Sequence, residues 1–425
     1  MKDLSMDVDA LDAEAERILR MNDRGGYSVP TAGLYPYQWN WDSAFAAYGY
    51  AMFDLDRGWR ELEVLMAGQW PDGMVPHIQF HKVDPSYFPG PDIWGGVGPV
   101  PSSGISQPAI AATMARLVYE LDPHAGAERM RALYPKFIAW HRWFMDWRLD
   151  RDAVCLTHPW EAGRDNAPDW DGPLARIDPS GIAPYERRDT GHVDPSMRPK
   201  KADYDRYLWL VKQGHDCGWD QAHLREVNPF RMADPTMHFT LLRAHRDLMW
   251  LGEALGLDTS PLPDWIAQLE AGAETLWNAR LGAYDCRDTV TGDWADAVSN
   301  AAFLCWYAGV DPKTTAQAYA RVQSKVQFGV ASHDPESPAF EPKRYWRGPT
   351  WAMMNMLIAM GLDDAGRPEG AELRASTARL IAGNGFAEYF DPLTGAPAGG
   401  KDFTWTAAIW LGWASPKARR GRWAA

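Results

Sequence analysis

Along the chain, apolar residues recur at spacings of three and four, the period that gathers them on one face of an α-helix. The pattern predicts helices over 8–21, 42–53, 59–68, 107–121, 127–148, 236–255, 265–277, 297–309, 315–326, 350–362, 369–383 and 404–413. Strand-like alternation is scarce, so the expected class is all-α. The helices are of two kinds, and they alternate. "DSAFAAYGYAMF", "QPAIAATMARLVYEL", "AVSNAAFLCWYAG", "TWAMMNMLIAMGL" and "TWTAAIWLGWA" are apolar nearly all round, with "PTMHFTLLRAHRDLMWLGEALG" a more polar sixth. "DAEAERILRM", "RELEVLMAG", "ERMRALYPKFIAWHRWF", "DWIAQLEAGAETLW", "TAQAYARVQ" and "GAELRASTARLIAG" each keep one polar face. A helix apolar all round belongs inside and an amphipathic one outside. Six of each in alternation predict six α-hairpins closed into a toroid, an (α/α)6 barrel, as a single domain over 1–425. An open stack of helical repeats is the alternative, but polar capping repeats are not evident at either end.

Two irregular stretches interrupt the pattern, at about 69–106 and 150–233, and both are rich in Pro, Gly, Asp and Trp. Long irregular segments in a compact domain are usually functional or disordered, and tryptophans argue against disorder. Both precede inner helices, which places them as loops at one mouth of the barrel. Composition narrows the possible ligands. The net charge of −13 disfavours nucleic acid and anionic lipid, and the short basic tail "KARRGRW" reads as a solvated terminus. No apolar run is long enough to span a membrane, and the N-terminal stretch has no secretion-signal core. The four cysteines stand far apart with no CxxC pair, which fits reduced thiols and a cytoplasmic setting. Nothing in the pattern excludes a homo-oligomer. Tryptophan is the outlier, at 23 residues.

The aromatic residues cluster with acids and amides. Tyr37, Gln38, Trp39, Trp41 and Asp42 fall directly ahead of an apolar helix. Indole faces beside a carboxylate suit a ligand with both hydroxyls and flat C–H faces, such as a sugar. The bland reading of Asp42 is a carboxylate satisfying helix N-terminal amides. "HPWEAGRDNAPDW" offers Glu161, Asp165 and Asp169 among Trp160 and Trp170. Glycoside hydrolysis needs one protonated carboxyl at the leaving oxygen and one carboxylate opposite it. A carboxyl walled by indoles is desolvated and holds its proton to higher pH. Turn hydrogen bonds are the bland reading there. His77 and His81 lack the intervening Glu of a metal motif, and "GGVGPVPSSG" lacks the preceding strand of a phosphate loop. No metal or cofactor is expected.

Four blocks, "GLYPYQWNWDSAF", "WEAGRDNAP", "RYWRGPTWAMMNML" and "EYFDPLTG" followed by "DFTWTAA", resemble in the same order those of glycoside hydrolase family 63, clan relatives of the trehalases. The resemblance implies an (α/α)6 barrel, hydrolysis of α-glycosides with inversion, and no metal in the chemistry. It implies Asp165 as general acid, with Gly163 beside it in the same block, and Glu388 as general base. Tyr35, Trp41, Asp42 and Gln107 would hold the sugar, with Tyr345, Trp346 and Trp351 as further wall and hydrogen-bonding positions. Glu161 is the second choice for the acid.

In length the chain is similar to the small mannosylglycerate and glucosylglycerate hydrolases of that family. "MRPKKADYDRY" supplies Arg198, Lys201, Tyr204 and Arg206 in a loop expected to close over the site. Arg198 and Tyr204 match positions that bind glycerate in those relatives. Phe403 departs from the pattern, since a glutamine is expected there in glycerate-specific members. An α-glucosidase for neutral di- or oligosaccharides is therefore the alternative. A sugar epimerase would need a histidine pair at the pocket, and only His238 lies near the start of an inner helix. A non-catalytic carbohydrate-binding protein would have no use for opposed acids.

Overall fold

The computed structural model describes residues 7–418, so the basic tail from Arg419 onward lies outside the described residues. In chain order the longer helices and those of the core are α1 (Val8–Asn22), α2 (Asn40–Ala51), α3 (Leu55–Ala67), α4 (Ala111–Leu121), α5 (Pro123–Trp147), α6 (Lys201–Asp216), α7 (Pro235–Leu255), α8 (Leu262–Ala273), α9 (Leu304–Ala308), α10 (Thr315–Gln323), α11 (Ala352–Asp364), α12 (Glu369–Asn384) and α13 (Thr404–Ile409). Aspartates set several of their starts. Asp54 accepts from the Arg57 N–H at 3.0 Å, Asp122 from Ala125 at 3.0 Å and Asp234 from Met237 at 3.2 Å. The prolines after Asp122 and Asp234 occupy the first helical position, where a missing N–H costs nothing.

The apolar set packs as a cycle. α2 lies against α4, α4 against α7, α7 against α9, α9 against α11, α11 against α13, and α13 returns to α2. Each inner helix has an outer partner: α3 on α2, α5 on α4, α8 on α7, α12 on α11 and α1 on α13. α10 packs on the 3-10 turn Asn300–Phe303 that leads into α9. Every residue of α2 is buried, as is α11 from Ala352 to Leu362, as their all-round apolar sequences require.

Strand content is small: the strands are two to four residues long and serve as clasps between loops. Gln38–Trp39 pairs antiparallel with Ile78–Gln79, and Tyr389–Phe390 with Pro397–Ala398. The stretch 150–233, read from sequence as irregular, contains the sixteen-residue α6 and the shorter helix Gln221–Val227. α6 buries Tyr204, Tyr207, Leu208, Leu210, Val211 and Gly214, an i, i+3, i+4 stripe that its Pro-rich flank and many charges obscure. All four cysteines are free, and no described helix is long and apolar enough to cross a membrane.

The α2–α13 contact closes the cycle, and it depends on Gly49. A Cβ there would stand 2.5 Å from the Ala408 Cα and Cβ, well inside van der Waals contact. Gly49→Ala should therefore lower Tm. Overpacking costs about 1–3 kcal/mol, more than the roughly 1 kcal/mol of helix propensity that alanine gains. A raised Tm in thermal unfolding would show that the two helices do not meet this closely.

Candidate active site

A cavity opens among the first turns of α2 and α13, the segment before α4, and the loops that join them. Trp41 and Asp42 reach it from α2, Gln107 from just before α4, and Trp405 from α13. Trp39, the N-cap residue of α2, makes no side-chain cap. The Trp41 N–H donates instead to Gln107 Oε1 at 3.2 Å, and Asp42 borders the cavity with its own backbone N–H favouring its carboxylate.

Glu388 is held from several sides. The Gly400 N–H donates to its Oε2 at 2.8 Å, and Tyr35 Oη donates to its Oε1 at 3.1 Å. The Trp405 indole donates to its carbonyl at 3.0 Å. Gly399 has a φ of +72°, and a Cβ on it would stand 2.3 Å from Glu388 Oε2, so the close approach requires glycine. Asp165 follows Gly163, where a Cβ would meet the Trp41 ring at 2.5 Å. The Asp165 loop is tied down by Tyr207 Oη, which donates to the Asp165 carbonyl at 2.7 Å.

Arg198 brings the positive charge. Its Nη1 donates to Tyr35 Oη at 2.7 Å and lies 3.9 Å from Glu388 Oε1, while its guanidinium stacks 4.3 Å over the Tyr345 ring. Burial dominates the carboxyl energetics. It pushes Asp165 up to about 7; Arg198 pulls the other way, and the nearby Glu388 charge adds to the rise. Burial raises Glu388 as well, against Arg198, and raises Asp42 well above the usual carboxylate range with Glu388 reinforcing it. Asp189, also at the cavity, goes the other way despite burial: hydrogen bonds from Arg187 and the charge of Arg198 bring it down to about 2.

Of the residues singled out from sequence, Tyr35, Trp41, Asp42, Gln107, Gly163, Asp165, Arg198, Tyr204, Tyr345 and Glu388 border this one cavity. Trp346 and Trp351 do not. They stack on each other at 4.0 Å between ring centroids, and Trp351 backs Tyr345 and Trp405 from behind the wall. Tyr204 lies on α6 rather than in a loop, with its hydroxyl donating to the Phe88 carbonyl at 3.0 Å. Lys201 and Arg206 turn away, to Asp205 and to the Ala202 carbonyl. Glu161 is a structural anion: buried, paired with Arg148 at 3.0 Å and accepting from the Thr157 N–H at 2.8 Å. Asp169 pairs with buried Arg164 at 3.4 Å.

Sequence reasoning did not select Trp39, His77, Tyr87, Phe88, Trp160 or Asp189 as site residues, yet all border the cavity. His77 sits beside Ser103 Oγ at 3.0 Å, and burial lowers its pKa well below the usual value, so it is a neutral wall residue. Trp39 stood in the quoted aromatic run, and its pairing partner Ile78 follows His77, the signal that links the two.

A family model described as the mannosylglycerate hydrolase MGH1-like glycoside hydrolase domain matches residues 35–406. Mannosylglycerate hydrolase MGH2 of Selaginella moellendorffii is 45% identical over 421 residues, covering 96% of this chain and 86% of that protein. A glucosylglycerate hydrolase of Mycolicibacterium hassiacum is 32% identical, covering 95% of this chain and 97% of that one. Among solved structures, a GH63 mannosylglycerate hydrolase from Thermus thermophilus, in complex with Tris and D-glycerate, superposes with a TM-score of 0.91. It is 43% identical and covers 94% of this chain and 99% of that one.

The raised Asp165 pKa has a consequence for stability. Above pH 4 the unfolded chain releases this proton while the folded chain keeps it, so the contribution of Asp165 is full below about pH 4 and is lost as pH rises through about 7. Asp165→Asn cannot ionise. Its Tm should match the parent at pH 4 and exceed it at pH 8, by an amount on the order of 2–4 kcal/mol in unfolding free energy. A difference that does not change with pH would mean that Asp165 is already ionised in the folded protein at acid pH.

Proposed function

The chain belongs to the mannosylglycerate hydrolase MGH1-like glycoside hydrolase family and is a glycosidase, and from that premise we propose that it cleaves mannosylglycerate or glucosylglycerate with inversion at the anomeric carbon. The observation that carries the reading is a pair of carboxyls, half-buried Asp165 and buried Glu388, on one cavity that also holds Arg198. We take the cycle of six helix pairs to be an (α/α)6 barrel forming a single catalytic domain. A cytoplasmic setting fits its free cysteines.

Asp165, pushed up to about 7 and so still partly protonated at neutral pH, gives its proton to the glycosidic oxygen as that bond breaks. Glu388 takes a proton from a water that attacks the anomeric carbon from the opposite face. Such a pair stands roughly 6.5–9.5 Å apart, leaving room for the water. The free sugar leaves with inverted configuration, Asp165 ends as the carboxylate, and Glu388 ends protonated until both exchange with solvent. Burial favours this division: the Arg198 guanidinium beside Glu388 supports the carboxylate form, and the Glu388 charge helps Asp165 keep its proton.

Trp41 and Tyr345 offer faces for the sugar's C–H surface. Asp42 and the Gln107 amide, whose Oε1 is already engaged, offer groups for its hydroxyls. Arg198 and the tyrosine hydroxyls read the carboxylate of the aglycone. Phe403 borders the cavity and supplies no donor, so an α-glucosidase for neutral di- or oligosaccharides is the second reading.

A product-release screen with mannosylglycerate, glucosylglycerate, trehalose, kojibiose and nigerose tests the assignment. Turnover of a glycerate glycoside is expected, and hydrolysis of the neutral disaccharides alone would favour the second reading. Asp165→Asn and Glu388→Gln should each lower kcat by about 10²–10⁴-fold while leaving the folded state intact by circular dichroism. Near-normal rates in either variant would remove that residue from the chemistry.

A further inference from the structure

Arg198 does not hold its own position. Its Nε donates to Asp189 Oδ2 at 3.0 Å, and Asp189 is itself gripped by Arg187, with Nε to Oδ1 at 3.0 Å and Nη2 to Oδ2 at 2.6 Å. Arg187 is anchored in turn, its Nη1 donating to the Pro199 carbonyl at 2.6 Å. It also lies 4.5 Å over the Tyr204 ring. The three charged groups form a chain, Arg187–Asp189–Arg198, with one positive charge in excess.

This chain restricts how Arg198 can meet a ligand. A guanidinium has five N–H donors in one plane. The Nε donor is committed to Asp189 and one Nη1 donor to Tyr35, and the Tyr345 ring covers a face. What remains is the outer edge, the second Nη1 donor and the two on Nη2. A carboxylate matches that edge with two parallel hydrogen bonds. The excess charge from Arg187 offsets part of the repulsion that Asp189, Glu388 and a ligand carboxylate around one guanidinium would otherwise suffer. The backbone at Arg198 is fixed separately, since Arg344 Nη1 donates to its carbonyl at 3.0 Å. Loss of Asp189 therefore frees the side chain more than the loop.

We propose that Asp189 is a positioning residue for substrate selection: by holding Nε it presents the outer edge of Arg198 to the carboxylate of the aglycone. The inference rests on the reading that the substrate carries such a carboxylate. It makes Asp189 matter more for binding anionic glycosides than for binding neutral ones.

The test is steady-state kinetics on mannosylglycerate and glucosylglycerate beside methyl α-mannoside and methyl α-glucoside, with calorimetry of D-glycerate binding, which needs no turnover. Asp189→Asn should raise KM for the glycerate glycosides and weaken D-glycerate by about tenfold or more. Because Arg198 also supports the Glu388 carboxylate, any loss of kcat should fall equally on both substrate kinds, while KM for the methyl glycosides stays nearly unchanged and Asp189→Glu recovers part of the loss in KM. If Asp189→Asn proves unstable in thermal unfolding, Arg187→Gln loosens the same grip from the far side and should give the same split. Equal effects on KM for both substrate kinds, or a fall in kcat alone, would overturn the proposal. Arg198→Ala separates the two levels. If it discriminates between the substrates while Asp189→Asn does not, only the role of Asp189 fails. If Arg198→Ala does not discriminate either, the carboxylate reading fails and this inference falls with it.

Discussion

Asp42 and Glu388, both buried, share a cavity with half-buried Asp165, and carboxyls gathered in such a place resist all being charged at once. That constraint organises the site. Arg198 stands beside Glu388 and favours its charge, which in turn disfavours ionisation of Asp165 and Asp42. The energetic cost of burying these acids is carried by the fold, and the division of protons is what a glycosidase requires.

The fold supplies this burial through its helix ends. α2, α11 and α13 each begin at an aromatic N-cap residue, Trp39, Trp351 or Phe403, whose own side chain makes no capping bond. Their first turns are placed by packing instead: the inner helices are buried nearly all round, and glycines such as Gly49 let them approach closely. The loops that carry Asp165 and Glu388 meet their surroundings at close contacts, among them Gly163 against Trp41, Gly399 against Glu388 and Tyr207 on the Asp165 carbonyl.

Much of this was legible in the chain. The alternation of all-round apolar and one-sided helices carried the inner and outer layers, because burial is a local demand on each segment. α6 was missed because its apolar stripe is interrupted by Lys, Asp and Arg and follows a proline-rich stretch. At the site, the motif blocks pointed to residues whose side chains sit on short, strongly patterned segments. They could not tell Tyr345, which turns into the cavity at a positive φ of 46°, from its neighbour Trp346, which packs behind it. Glu161 and Asp165 look equivalent in sequence. What distinguishes them is Arg148, thirteen residues before Glu161 and bound to it in the core. Asp189 gave no signal, since only the folded loop brings Arg198 to it.

The central claim, one acid and one base acting from opposite sides of the scissile bond, is tested most directly by proton NMR of the sugar during the first minutes of hydrolysis of an α-linked glycerate glycoside. The β-anomer should appear first and then mutarotate. An α-anomer released first would contradict the account, because it would require a covalent intermediate and a different role for Glu388.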